Sequence, residues 1–124
     1  MTNVFENEYA KFWVEDSILI FKYKRCSIIG VETAKIIVAD RLAFQNEKAY
    51  PILCDVRRIE DSDKAARDYL AKEGSALTIA VSFLVQPLMS KARAKFYVQN
   101  NQPTIPSGIF TDRAKAIQFL KSYK

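Results

Sequence analysis

The sequence predicts an α/β protein with a mixed, mostly parallel sheet that begins with an antiparallel hairpin. The first observation lies in the last third of the chain, from Ala76 to Lys124. There an apolar strand, a basic amphipathic helix, a short strand and a capped terminal helix follow one another. Strands that alternate with helices build a parallel sheet covered by helices.

Two aromatic-rich segments near the N-terminus are the second observation. Residues Tyr9 to Glu15 and Ser17 to Lys24 alternate loosely between apolar and polar side chains, and Glu15 and Asp16 lie between the two runs. This pattern predicts an antiparallel hairpin. With the elements that follow, it gives the predicted order ββαβαβαβα, and the sequential strand-helix units predict right-handed crossovers.

The middle of the chain supplies a helix and a strand. Between Val31 and Phe44, apolar residues recur at helical spacing on one predicted buried stripe: Ala34, Ile37, Val38 and Leu42. Tyr50 to Asp55 is a short apolar run that ends in an acid, as a buried strand entering a loop does.

A second helix is predicted from Asp61 to Glu73. Its expected inward face is Ala65, Ala66, Tyr69 and Leu70, and Gly74 is a natural C-terminal stop. The run from Ala76 to Val85 is the expected central strand. Leu88, Ala92 and Phe96 line the buried side of a third predicted helix. Thr111 is expected to cap the last helix.

Length and composition predict one domain over residues 1–124 in the cytoplasm. Hydrophobic residues make up 49% of the chain, which suffices for a core. The N-terminus shows no secretory pattern. The longest apolar run, Ala76 to Val85, is about half of the roughly 20 residues that a membrane-spanning helix needs, so no membrane span is expected.

The absence of histidine excludes several chemistries. The chain has no His, and its two cysteines are Cys26 and Cys54. Ser-His-Asp catalysis and His-ligated zinc are therefore excluded, whereas carboxylate-lysine chemistry stays open. Cys54 lies in an apolar predicted strand, so we expect it to be a small buried side chain. No catalytic motif is recognisable, so we expect no enzyme, no metal and no cofactor.

The basic charge of the chain is spread along it. The formal net charge is +5, and the densest basic run is Lys91, Arg93 and Lys95. Lys91 and Lys95 share a helix face, and Tyr97 beside them could stack on a base. No nucleic-acid-binding signature accompanies them. A solvated surface is the favoured interpretation, and no specific nucleic acid is expected as a partner.

The order of strands and helices resembles the STAS, or SpoIIAA-like, fold. The tail resembles small bacterial STAS-like proteins without an assigned activity. The residues that carry this likeness are Lys95-Phe96-Tyr97, Asn100-Asn101-Gln102-Pro103, Pro106, Phe110-Thr111-Asp112, Ala116 and Phe119-Leu120. The resemblance covers the whole chain by element order and about the last thirty residues by motif.

In anti-sigma-factor antagonists of this fold, the second helix starts with an Asp-Ser pair, a phosphorylated Ser or Thr, and Gly. Asp61 and Ser62 match the pair, but Asp63 and Lys64 occupy the next two positions. Control by serine phosphorylation is therefore not expected. The favoured role of Asp61, Ser62 and Asp63 is helix capping.

A partner-docking edge is the functional alternative at this place. It would consist of Arg57, Arg58, Asp61, Ser62 and Asp63. A divalent ion at Glu60, Asp61 and Asp63 is a further alternative, although the spacing matches no calcium loop. A phosphate at the helix start is disfavoured by the two aspartates.

The first functional hypothesis is thus a non-enzymatic, STAS-like regulatory module. It would contact an unidentified protein or a second copy of the chain. The second hypothesis is a binder of a small apolar or anionic ligand in a pocket between helix and sheet. Because one fold hosts many functions, the residues of the site have to decide between the two hypotheses.

Overall fold

The N-terminal region of the computed structural model is a three-stranded antiparallel meander. The structure describes residues 3–87 and 105–124, and of residues 26–29 and 60–62 it describes the backbone alone. Strand β1 is Val4–Glu6, β2 is Ala10–Glu15 and β3 is Ile18–Tyr23. The predicted hairpin is β2–β3, and β1 adds an edge strand that the sequence pattern did not indicate.

The hairpin turn takes its shape from Asp16 and Ser17. Their φ angles are 51° and 64°, and Glu15 pairs with Ile18 across the turn. Two successive residues with positive φ form the tight turn whose twist matches that of the flanking strands. Aspartate tolerates this conformation better than most residues, so the hairpin closes without the favoured glycine.

The parallel half of the sheet follows helix α1. Helix α1 is Val31–Gln45, β5 is Tyr50–Asp55 and β7 is Thr78–Leu84. The last strand, β8, is Ser107–Phe110. The six strands run in the order β1-β2-β3-β5-β7-β8, and the pairs from β3 to β8 are parallel. The predicted mixed, mostly parallel sheet is confirmed.

Two short strands pair outside this sheet. Strand β4 is Cys26–Ile29 and β6 is Ile59–Ser62, and they form a separate two-stranded parallel sheet. Neither strand was predicted. Because Asp61 and Ser62 belong to β6, the second helix cannot begin at Asp61 as predicted. Helix α2 is Lys64–Lys72.

The main sheet carries a core on each face. Strand β3 alternates between them: Leu19 and Phe21 pack with residues of α1, and Ile18 and Ile20 pack on the other side. On that other side lies α3, Arg113–Lys121, through Ala116 and Leu120. Stacked and edge-on phenylalanines fill the first core near the hairpin: Phe5, Phe12, Phe21 and Phe44.

Several element-level predictions need correction. Ala66 is the buried residue of α2, whereas Ala65 is exposed. The cap of α3 is Asp112, which accepts from the Ala114 amide, so Thr111 is not the cap. Asp112 follows Thr111 directly, and from this position its carboxylate reaches the Ala114 amide.

The apolar run at Ala76 to Val85 forms an interior strand, as predicted, but not the middle one. Strand β7 lies between β5 and the edge strand β8. Ile79, the second residue of this strand, is 39% exposed. The predicted third helix, with Leu88, Ala92 and Phe96, lies outside the described residues, as do Lys91, Arg93, Lys95 and Tyr97.

Candidate functional site

A cavity of about 90 Å³ lies between helices α1 and α2 and the sheet, partly open at the surface. Its floor consists of side chains from three neighbouring parallel strands: Phe21, Tyr23, Ile52, Cys54, Val81 and Phe83. Its walls come from α1, from α2 and two residues that follow it, and from the residues at the start of β7 and before β8: Ile37, Val38, Arg41, Leu70, Ala71, Gly74, Ser75, Thr78 and Ile105. The lining is mainly apolar, as in most small-molecule sites.

The strand register explains why these floor residues converge. Phe21 pairs with Cys54, and Cys54 pairs with Phe83, so the three lie side by side across β3, β5 and β7. Ile52 pairs with Val81, two residues before Cys54 and Phe83 on their strands, and lies on the same face. Alternate residues of a strand share a face, and this face is the one that α1 and α2 cover.

Arg41 is the charged residue among the described lining residues, and it is 5% exposed. Its Nη2 donates to the carbonyl of Gly74 at 2.7 Å, and its Nη1 donates to the side-chain oxygen of Gln45. Both Nη atoms also lie 3.4 Å from the carbonyl of Ala76. At that length a hydrogen bond is weak. The strong acceptors of Arg41 are therefore neutral.

Burial lowers the pKa of the Arg41 guanidinium below its ordinary value, and the neighbouring Tyr23 and Cys54 oppose this effect. An arginine nevertheless stays protonated in proteins, because its ordinary pKa is so high. The cavity wall thus holds a permanent positive charge in largely apolar surroundings.

Gln45 completes the polar contacts at this end of α1. Its Nε2 donates to the carbonyls of Lys48 and Leu77, at 3.0 and 2.9 Å. Leu77 has a φ of 56°, a conformation that needs support from its surroundings, and the hydrogen bond from Gln45 holds its carbonyl. Arg41 and Gln45 together join α1 to the segment between α2 and β7.

Gly74 borders the cavity where that segment leaves α2. Its φ is not positive, so conformational freedom is not the reason for glycine. A Cβ built there would lie 2.2 Å from the carbonyl oxygen of Leu70. The predicted helix stop is therefore correct in position, but its cause is close backbone approach.

Cys54 faces the cavity with a thiol that stays protonated. Burial, and next the charge of Asp55, raise the pKa of Cys54 to about 12, although Arg41 acts in the opposite direction. A thiol is nucleophilic only as the thiolate. Cys54 packs against the core as predicted, but it is half-buried rather than fully buried.

The predicted partner-docking residues lie around β6, near the end of β5. Arg57 forms a two-pronged ion pair with Asp55: Nε to Oδ1 is 3.0 Å and Nη2 to Oδ2 is 2.8 Å. Burial raises the pKa of Asp55, but the hydrogen bonds and charge of Arg57 outweigh it and leave the pKa below its ordinary value. Arg58 is exposed.

Asp63 is the N-cap of α2, and its Oδ1 accepts from the Ala66 amide at 2.7 Å. This confirms the capping role for one of the three polar residues that were predicted to share it. Asp61 and Ser62 instead pair with Ile28 and Ile29 in the small sheet. The docking function of the five residues stays a prediction.

No metal site is visible in the described part of the chain. Among the side chains that the structure describes, no group of three Cys, Asp or Glu is arranged to hold an ion. Of the acidic cluster Glu60, Asp61 and Asp63, the side chain of Asp63 is described. No helix of the described residues is long and apolar enough to cross a membrane.

Arg41 and Gln45 were not predicted as buried residues from the sequence. The buried residues of α1 are Ala34, Ile37, Val38, Arg41 and Gln45. The helical spacing does indicate them, because Arg41 lies three residues after Val38 and Gln45 lies four residues after Arg41, on the same stripe. A charged residue on that stripe was passed over in favour of Leu42, which is half-buried.

The sheet order and the helices on both faces define a SpoIIAA-like module. A crystal structure with this fold, an uncharacterized protein of the DUF3478 family from Shewanella loihica PV-4, is similar to the chain with a TM-score of 0.61. The likeness covers 97% of this chain and 92% of that one, at 15% sequence identity, and therefore concerns the fold. The predicted resemblance is confirmed.

Sequence comparison then gives the family. The chain belongs to the family described as Domain of unknown function (DUF7793), whose model matches residues 12–124. A comparison with the curated proteins finds no match.

Proposed function

We propose that this SpoIIAA-like chain is a non-enzymatic module that binds a small, largely apolar molecule between its helices and its sheet. The cavity bounded by α1, α2 and three strands is the observation that carries the proposal. Of the two functional hypotheses from the sequence, this favours the ligand binder. A ligand held there would contact both the sheet and the helices. Its binding could therefore change the positions of α1 and α2 relative to the sheet.

The chemistry of the lining supports binding rather than catalysis. The chain has no histidine, and the thiol of Cys54 is protonated at neutral pH. Arg41 has no proton to give or take near neutral pH. The described lining therefore offers a shaped apolar surface and the fixed charge of Arg41.

Benzyl alcohol tests this proposal as a neutral apolar probe. Saturation-transfer NMR should detect saturable binding to the native chain. Ala71 lines the cavity, so Ala71→Phe should fill it and abolish the binding. Ala65→Phe is the matched control, because Ala65 is an exposed residue of the same helix. Absence of saturable binding, or equal binding to the Ala71→Phe protein, would contradict the proposal.

A second function, protein contact, is favoured by the turn after β5. The side chain of Asp55 holds the Arg57 guanidinium, and the Arg57 carbonyl accepts from Gln86 Nε2 at 2.8 Å. The exposed Arg58 thus projects from a fixed backbone, as a docking residue requires. An acidic surface, on another protein or on a second copy, is the complementary partner.

Charge reversal tests this second function. Arg58→Glu should weaken self-association in sedimentation experiments, or capture of an acidic protein from the native host. Lys72→Glu is the control, because Lys72 is an exposed cation at the other end of α2. Equal behaviour of the two variants and the native chain would count against a contact role for Arg58.

A further inference from the structure

We infer that Arg41 makes the cavity a site for a small apolar monocarboxylate, whose carboxylate pairs with the guanidinium while its hydrocarbon part occupies the apolar floor. This deepens the proposed function and rests on it. The observation behind the monocarboxylate site is the buried positive charge of Arg41 beside the cavity. The described lining residues include no acid.

The charge of Arg41 is not neutralised by the described side chains. None of their ion pairs includes Arg41, and its hydrogen bonds go to two carbonyls and an amide oxygen. The segment 88–104 contains no Asp or Glu by sequence, so no carboxylate can come from there. A buried charge without a counter-charge is costly, and an anionic ligand would remove that cost.

A purely structural role does not require the charge. Joining α1 to the segment before β7 needs a donor, and Gln45 provides a neutral one to the Leu77 carbonyl. A guanidinium adds a fork of donors that matches a carboxylate in shape. The long contacts from Arg41 to Ala76, at 3.4 Å, are the ones that a stronger acceptor would displace most easily.

Size and charge narrow the ligand class. The cavity has about 90 Å³, whereas an apolar cavity of roughly 150 Å³ holds benzene. A short branched chain or part of a single ring therefore fits inside, with the remainder at the open side. Among the described lining residues, one arginine balances one negative charge, which favours a carboxylate over a phosphate dianion.

The experiment compares 3-methylbutanoate with its neutral amide. Titrations followed by NMR should show the acid binding to the native chain at least ten-fold more tightly than 3-methylbutanamide. That ratio corresponds to about 1.4 kcal/mol. The acid should also shift the Arg41 Nε–H signal, and the amide should not. Inorganic phosphate should not compete with the acid.

Two variants separate charge from shape. Arg41→Gln should bring the two dissociation constants together, and Arg41→Lys should keep part of the preference for the acid. Arg58→Gln is the matched control, because it removes an exposed arginine away from the cavity and should leave the preference intact. Should Arg41→Gln not fold, the acid-to-amide ratio and the Arg41 signal in the native chain still decide.

The outcomes distinguish the two proposals. If acid and amide bind the native chain equally, or if phosphate displaces the acid, the inference about Arg41 is overturned while the binding function stands. If neither probe binds, and benzyl alcohol does not bind either, both proposals are overturned.

Discussion

At the scale of single residues, Asp55 and Cys54 show how neighbours set protonation on one strand. Asp55 is buried, and burial alone would raise the pKa of its carboxyl group. Arg57 reverses this effect through two side-chain hydrogen bonds and one from its backbone amide. At Cys54, burial and the charge of Asp55 outweigh the opposing charge of Arg41 and raise the pKa of the thiol to about 12.

Asp55 should make stability depend on pH in the acid range. Its folded-state pKa is lowered, so its contribution is present above the unfolded value, near 3.9, and disappears as the pH falls through the folded value. Urea unfolding from pH 6 to pH 2 should show a smaller loss for Asp55→Asn than for the native chain. Glu47→Gln, at an exposed carboxyl group, is the control. Parallel curves for Asp55→Asn and the native chain would contradict this.

Cys54 should react slowly with thiol reagents. A Cys26→Ser protein leaves Cys54 as its single cysteine. At pH 8 its reaction with a disulfide reagent should be at least about a hundred-fold slower when folded than in denaturant, because so little thiolate is present. Equal rates in the two conditions would show that the thiol is accessible and ordinary.

At the scale of elements, the start of α2 depends on one side chain. Asp63→Ala should lower the free energy of unfolding by about 0.5–2 kcal/mol, because the Ala66 amide loses its acceptor. Asp63→Asn should retain most of the stability, since Asn is an equally good cap. Urea midpoints measure both, and the reverse order of the two variants would exclude a capping role.

The small sheet of β4 and β6 decides where α2 can begin. Its strands, Cys26–Ile29 and Ile59–Ser62, pair with each other through backbone hydrogen bonds that no local pattern encodes. Residues 59–62 read Ile-Glu-Asp-Ser, which has neither the alternation nor the β-branched content of a typical strand. For this reason the helix predicted from the sequence includes Asp61 and Ser62, which belong to β6.

At the scale of the whole molecule, the net charge of +5 should give weak and unspecific affinity for nucleic acid. Surface cations release counterions when they meet phosphates, so any binding should fall steeply with salt and be independent of sequence. Fluorescence titrations with two unrelated duplexes at low and physiological salt measure this. Submicromolar binding of one duplex alone at physiological salt would require a specific site.

The sequence by itself determined the class of fold and most of its elements. Alternation located the β2–β3 hairpin, the apolar runs located β5 and β7, and the stripe on α1 was found except for its polar members. These features are local, because periodicity and turn chemistry act over a few residues. The resemblance to the SpoIIAA-like fold rested on this order of elements and was confirmed.

Only the tertiary structure decided the cavity and the residue that gives it a charge. Phe21, Cys54 and Phe83 are far apart in sequence and become neighbours through strand register. Arg41 becomes a buried cation because the carbonyls of Gly74 and Ala76 lie beside it once α1 and α2 pack. Burial and hydrogen-bond partners depend on contacts between distant segments, and a single sequence does not encode those contacts as a local pattern.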